Sequence, residues 1–198
     1  DSVAPFADLF YETLFKEHPI LKKTVFAKTN FKVQSKMLMS MISTAVDNLG
    51  NPDVLVPALK NMGVRHCRYG TKVEHYAPVG AALISALNEC LGSKFTAETK
   101  AAWVVVYGVI ESVMSAECKT EAGEKAIAAY YAKNPVPKDA EEKPAAAADA
   151  KPAEPVDEKV THKLVQESWA LLVDSVAPFA DLFYETLFKE HPILKKTV

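Results

Sequence analysis

The sequence predicts an all-α protein, on three observations. Its large apolar side chains recur three and four residues apart over long segments, the spacing that lines one face of a helix. No segment alternates apolar and polar residues for long enough to make a half-buried strand. The connections between apolar segments are short and glycine is scarce, with 7 in 198 residues, which suits packed helices.

The elements follow in order. Pro5 is a natural first-turn residue, and Phe6, Leu9, Phe10, Leu14 and Phe15 make the inner face of an opening helix. That helix ends near His18, because a residue before proline is pushed out of the helical region. "KVQSKMLMSMISTAVDNL" is a second long amphipathic helix, stopped by "GNP". "VLVPALKNMGVRHCRYG", with its internal proline, reads as a shorter pair of helical pieces. "EHYAPVGAALISALNECLG" and "AETKAAWVVVYGVIESVMSAEC" are two strongly apolar helices joined at Gly92-Ser93. "TEAGEKAIAAYYAKN" either extends the last helix or forms its own turns.

The composition then changes. Residues 135–159, "PVPKDAEEKPAAAADAKPAEPVDEK", carry almost no large apolar side chain and cannot bury enough surface to offset their ordering entropy. Prolines make such a stretch a semi-stiff spacer. After it "VTHKLVQESWALLVDS" resumes the helical pattern, with Val160, Leu164, Trp169, Leu172 and Val176 close to one face. The ends of the sequence repeat each other: residues 1–25 and 174–198 are identical, an offset of 173 residues.

Net charge is −2 and 49% of residues are hydrophobic, a globular composition without the basic excess of an electrostatic nucleic-acid binder. No unbroken apolar run approaches the roughly 18–20 residues of a membrane span. No nucleic acid or membrane is therefore expected as a partner. Cys67, Cys90 and Cys118 are an odd set without CxxC spacing, so they read as free thiols and not as a disulfide scaffold or metal site. The start carries no signal-peptide pattern, and the compartment stays open.

Three polar side chains sit where the pattern calls for apolar ones. Tyr11 lies on the inner face of the first helix, Gln34 near the start of the second, and His66 at the end of the third. Alone, a histidine is usually a solvated or hydrogen-bonded residue. With Phe26 at the turn between the first two helices, the set has what a flat apolar cofactor with one axial imidazole would need.

The stretches "LFYETLFKEHPILKKTVF", "VQSKMLMSMISTAV", "MGVRHCRYGTKVEHYAPVGAALISALNECLG" and "AAWVVVYGVIESVM" resemble the globin family, above all the flavohaemoglobin-like single-domain globins of microbes. The resemblance covers residues 1–118 and 160–198. It implies a globin fold and haem b, with His66 as proximal ligand of the iron and Phe26 as the corner phenylalanine against the porphyrin. It further implies Tyr11 as the distal tyrosine, Gln34 as the distal glutamine, Leu38 as the apolar residue one turn on, and Tyr76 as a tyrosine near the proximal side. Dioxygen or another diatomic gas is the implied ligand, with Tyr11 and Gln34 as its hydrogen-bond donors. Arg65, Arg68 and Lys72 are candidates for the haem propionates, while His75 reads as a surface residue and Cys67 as packing.

The implied function is reversible oxygen binding for storage or transport. A nitric oxide dioxygenase-type enzyme served by an external reductase, or a mainly structural filament of globin units, stays open beside it. A giant carrier would be extracellular and other forms cytoplasmic. Globins of this kind open with a helix carrying a tryptophan, and residues 1–118 lack one; Trp169 supplies it at the other end. The expected organisation is thus a globin domain lacking its first helix over 1–132 (core 1–118, extension 119–132), a spacer over 133–159, and the first helices of a next repeat over 160–198. On that expectation helix 160–174 packs on a neighbouring copy, in an end-to-end array. An overlapping fusion and a fold-back of that helix onto its own domain are the alternatives.

Overall fold

The computed structural model describes residues 4–136 and 157–174; the second copy of the repeated segment beyond Asp174 and most of the spacer lie outside them. Among the described residues there are only helices and their connections. They are α1 (Ala4–Glu17), α2 (Pro19–Lys23), α3 (Phe31–Asp47), α4 (Pro52–Arg68), α5 (Tyr76–Leu91), α6 (Ala97–Cys118), α7 (Glu121–Lys133) and α8 (Glu158–Asp174), with single 3₁₀ turns before α5 and before α6.

Local chemistry explains the boundaries. Asn30 caps α3 by accepting from the Lys32 and Val33 amides, and Thr96 caps α6 by accepting from Thr99 N. Thr120 accepts from Gly123 N, so "EAGEKAIAAYYAK" is a separate helix and not the tail of α6. The expected pair of helical pieces around Pro57 is instead one helix, α4. Pro57 sits in its second turn with its ring exposed, where the lost backbone bond lies close to the end and the ring faces solvent.

The core forms where α1 lies on α5, α4 on α6, and α5 on α6. Ala7, Leu14, Ala86, Leu87 and Ala102 are fully buried, so α1, α5 and α6 approach closely. The expected inner face of α1 holds in large part: Phe6, Phe10 and Leu14 are buried, Leu9 and Phe15 half-buried. α6 is by length and hydropathy apolar enough to cross a membrane, although it contains no unbroken apolar run of that length. Its Trp103, Val106 and Met114 are buried against α4, α5 and α8, the environment of a core helix. Gly63 lets α4 approach α6, since a Cβ there would stand 2.7 Å from the Met114 carbonyl oxygen.

The largest correction concerns α8. It does not await another repeat: it packs on α6, α3 and α5 of its own chain. The Trp169 ring meets Phe6 at 5.7 Å and Trp103 at 5.8 Å between centroids. Its Nε1 donates to Ser43 Oγ (3.0 Å), while Trp103 Nε1 donates to Ser168 Oγ (2.9 Å) and Gln166 Nε2 to the Val46 carbonyl (3.1 Å). The physical reason is burial of an apolar face: Val165, Trp169 and Leu172 leave water against these helices, and a tether of the 23 residues between Lys133 and Asp157 is long enough to allow it, since such a length spans about 70 Å when extended. This is the fold-back arrangement that stood as an alternative for the helix.

The helix also differs in detail from its expectation. It starts two residues early, because Asp157 Oδ1 accepts from the Lys159 and Val160 amides. Val160 is 48% exposed, and the inner face runs instead through Thr161, Val165, Ser168, Trp169 and Leu172. Val176, expected on that face, lies outside the described residues.

Candidate functional site

His66 stands on the last turn of α4, half-buried. Its Nδ1 lies 2.9 Å from the carbonyl oxygen of Met62, one turn back. A carbonyl can only accept, so Nδ1 carries the hydrogen and Nε2 keeps a free lone pair. Burial pushes the imidazole pKa down, against a smaller upward pull from the Met62 carbonyl, so the ring is held neutral. A neutral imidazole with one nitrogen anchored and the other free is the form that binds a metal.

The opposite set gathers on α1 and α3. Tyr11 is buried, and its ring meets Phe10, Phe15, Phe26 and Phe31 at centroid distances from 4.9 to 5.8 Å. The Gln34 side chain lies near enough to the Tyr11 hydroxyl to pull its pKa down. Burial nonetheless dominates and pushes the phenol up to about 12, so its proton stays on at neutral pH. Phe26 sits at the turn between α2 and α3, where its amide donates to the Leu21 carbonyl (3.0 Å). Sequence reasoning did not single out Phe31, which stacks on Phe26 at 6.3 Å and completes the ring cluster.

The two sets belong to helices that hardly touch. α3 packs on α1 and α8, and α4 on α6 and α7, with few close approaches between α3 and α4. The apolar side chains Phe26, Phe31, Leu38, Ile42 and Met62 stay only half-buried. Met37 and Val33 on α3 are more than half exposed. Such partly wetted apolar walls suit a flat apolar group. Among the described residues no group of three or more His, Cys, Asp or Glu could hold a metal ion. A metal whose other ligands come from a porphyrin asks only one ligand of the protein, and His66 can supply it.

The remaining candidates divide. Tyr76 is 5% exposed, and among the described residues its hydroxyl has no hydrogen-bond partner of good geometry. Burial, then the nearby thiols of Cys118 and Cys67, drive its pKa up. The Tyr76 backbone carbonyl accepts instead from Tyr107 Oη at 2.6 Å. Cys67 packs as expected, facing α6 with its Sγ 3.5 Å from that of Cys118. His75 corrects its expectation: it is 5% exposed, and its Nδ1 accepts from the Lys72 amide at 3.1 Å, closing the turn that starts α5. Lys72 lies 3.4 Å from Glu74 and 5.0 Å above the Tyr131 ring. Arg65 and Arg68 are exposed on α4.

Two supports were not legible in advance. Met62 anchors His66 through its backbone, which any residue could do, so the residue type carries no signal. α7 ties the two sides together: Tyr131 Oη donates to the Gly70 carbonyl (3.0 Å) just after α4, and Tyr130 Oη to the Thr24 carbonyl (3.2 Å) just after α2. Gly70 has a φ of 81°, which turns the chain sharply away from the end of α4.

The globin family model matches residues 8–114, more than half of the chain. The chain belongs to the globin family. Among curated relatives it is 37% identical over 121 residues to a flavohemoprotein of Bacillus cereus, covering 59% of this chain and 29% of that protein. It is 36% identical over 106 residues to a flavohemoprotein of Bacillus subtilis (51% and 26%). The flavohemoprotein of Rhizobium meliloti is 30% identical over 107 residues (54% and 27%). The chain thus spans less than a third of the length of these relatives. Membership in the globin family implies a haem-binding protein with a diatomic gas as ligand, and the α1–α8 bundle is this globin's fold.

Proposed function

We propose that this globin holds haem b through His66 Nε2 and binds dioxygen reversibly beside Tyr11 and Gln34, in storage or transport. The observation that carries the reading is His66 itself, neutral, anchored through Nδ1 and free at Nε2, in a bundle whose α3 and α4 stand apart. Bound iron would supply one open position for a diatomic gas.

The chain's own residues do the rest. The Met62 carbonyl fixes the tautomer and ring orientation of His66 and raises its basicity. Phe26, Phe31 and Leu38 line the distal side with apolar surface. Tyr11 keeps its proton, because its pKa stands at about 12, and so serves as a donor to a ligand carrying partial negative charge. The Gln34 amide lowers that pKa, as a donor to the phenol oxygen would, which leaves the phenol hydrogen free for the ligand. In a site of low polarity a donated bond of this kind slows ligand escape.

A second reading is a dioxygenase-type enzyme with a separate reductase, and the relatives named flavohemoproteins leave room for it. The likeness reaches no more than 29% of those proteins, so it supports the shared gas-binding domain more directly than a shared reaction. His66→Ala tests the central claim. Purified protein titrated with haem should show one Soret-absorbing haem per domain, and the variant should show none of that band. Equal haem content and an equal spectrum in the variant would overturn the assignment.

A further inference from the structure

α6 turns one face to the core, and the opposite face stays open. The helix is apolar enough to cross a membrane, yet 33% of its most apolar window of residues is buried. On the outward side Ala101, Val105, Gly108, Val109, Ser112 and Ala116 follow one another at helical spacing along the helix. Ala101 is half-buried and the others are exposed, Val105 by 40% and Val109 by 50%. A Cβ built at Gly108 would meet nothing, so among the described residues the middle of the face is uncovered. The face carries no charge between its two ends. Glu98 closes it at the start of the helix and Lys119 just past its last residue, both exposed. Lys100, Glu111 and Glu117 stand off to its sides.

We infer that this face is the interface of a two-fold dimer, in which α6 packs antiparallel on α6 of a second copy of this chain. The pattern is self-complementary about the peptide bond between Gly108 and Val109. Counting outward equally from that bond matches Gly108 with Val109, Val105 with Ser112, Ala101 with Ala116 and, at the ends, Glu98 with Lys119. An antiparallel two-fold pairing centred there brings each residue level with its match on the other helix, so Glu98 of each copy meets the partner's Lys119. A parallel pairing would set like charges side by side, and a slip of one turn would lose both charge pairs. The apolar middle supplies the attraction, and Gly108 with its alanine neighbours lets the two backbones approach. The end charges fix direction and register. α6 is 22 residues long, so the contact runs for about 33 Å. One helix pair gives an interface at the low end of the size range, so the dimer forms at micromolar concentration and comes apart on dilution.

Sedimentation equilibrium of the purified full chain, from low to high micromolar protein, should show a reversible monomer–dimer equilibrium. Val105→Glu and Val109→Glu should each leave a monomer throughout that range. Both should keep the circular dichroism melt of the parent, because these side chains are exposed in the single copy. Glu98→Lys alone or Lys119→Glu alone should weaken the dimer about five- to tenfold, since each sets like charges together at both ends, and the exchange of both should restore it to within about twofold. The altered charge at the start of α6 is common to Glu98→Lys and to the exchange, so a change in helix stability does not produce that recovery. A monomer at every concentration, a dimer that survives both glutamate variants, or an exchange as weak as the single variants would overturn the inference. A monomer that sediments with phosphatidylcholine–phosphatidylglycerol vesicles would make this a membrane-facing surface and overturn the dimer as well.

Discussion

Trp169→Ala should cost this fold about 3–5 kcal/mol, the range for removing a buried tryptophan. The side chain is 3% exposed and has three kinds of partner. It meets Phe6 at 5.7 Å and 83° and Trp103 at 5.8 Å and 60°, edge-on pairs worth about 0.5–1.5 kcal/mol each beyond simple burial. Its Nε1 donates to Ser43 Oγ, a net contribution of about 1 kcal/mol. These terms lie inside the overall range and do not add to it. A ceiling also applies, because α8 is attached through a spacer and can leave the groove while the other helices stay folded. The measured loss then equals the docking free energy of α8, to which Val165 and Leu172 add about 1.5–3 kcal/mol each before ordering costs. Urea titration gives the loss, and fluorescence tells the two outcomes apart. The protein has two tryptophans, so the variant keeps only Trp103, whose Nε1 bonds Ser168 on α8. Emission that stays blue means α8 remains docked around a cavity, and a red shift with new protease cleavage in α8 means it has left. A loss below about 1 kcal/mol, with unchanged emission and cleavage, would refute the packing of α8 described above.

Two further outcomes follow from single residues. Tyr107 is half-buried, and desolvation raises its pKa above 10.0, so its contribution to stability is fully present below pH 10 and is lost as pH rises through the folded-state pKa; Tyr107→Phe should flatten that alkaline decline in urea titrations and lower stability at neutral pH by about 0.5–1.5 kcal/mol, for the bond to the Tyr76 carbonyl. Gly63→Ala should destabilise by about 1–3 kcal/mol, since its Cβ would stand 2.7 Å from the Met114 carbonyl oxygen and force α4 away from α6, and an unchanged thermal midpoint would count against that close approach.

The sequence by itself determined the all-α class and most helix positions, and it singled out the residues proposed for the site, because each rests on local or near-local information. Helical periodicity and caps are written within a few residues, as Asn30, Thr96 and Thr120 show. The misplaced Tyr11, Gln34 and His66 stood out against that periodicity, and the structure joins Tyr11 to Gln34 on one side and anchors His66 on the other. What the sequence left open were matters of partner. His75 looked exposed because nothing along the chain shows that its Nδ1 turns back to the Lys72 amide. The anchoring of His66 passes through a backbone oxygen that every residue type offers. Most of all, the amphipathic face of α8 announced that it would be buried without saying against what. Covalent order suggested the copy that follows it, and only the tertiary structure showed that it packs on α3, α5 and α6 of its own chain. An apolar face is a local property, but its destination depends on which complementary surface is vacant and how short a tether leads there.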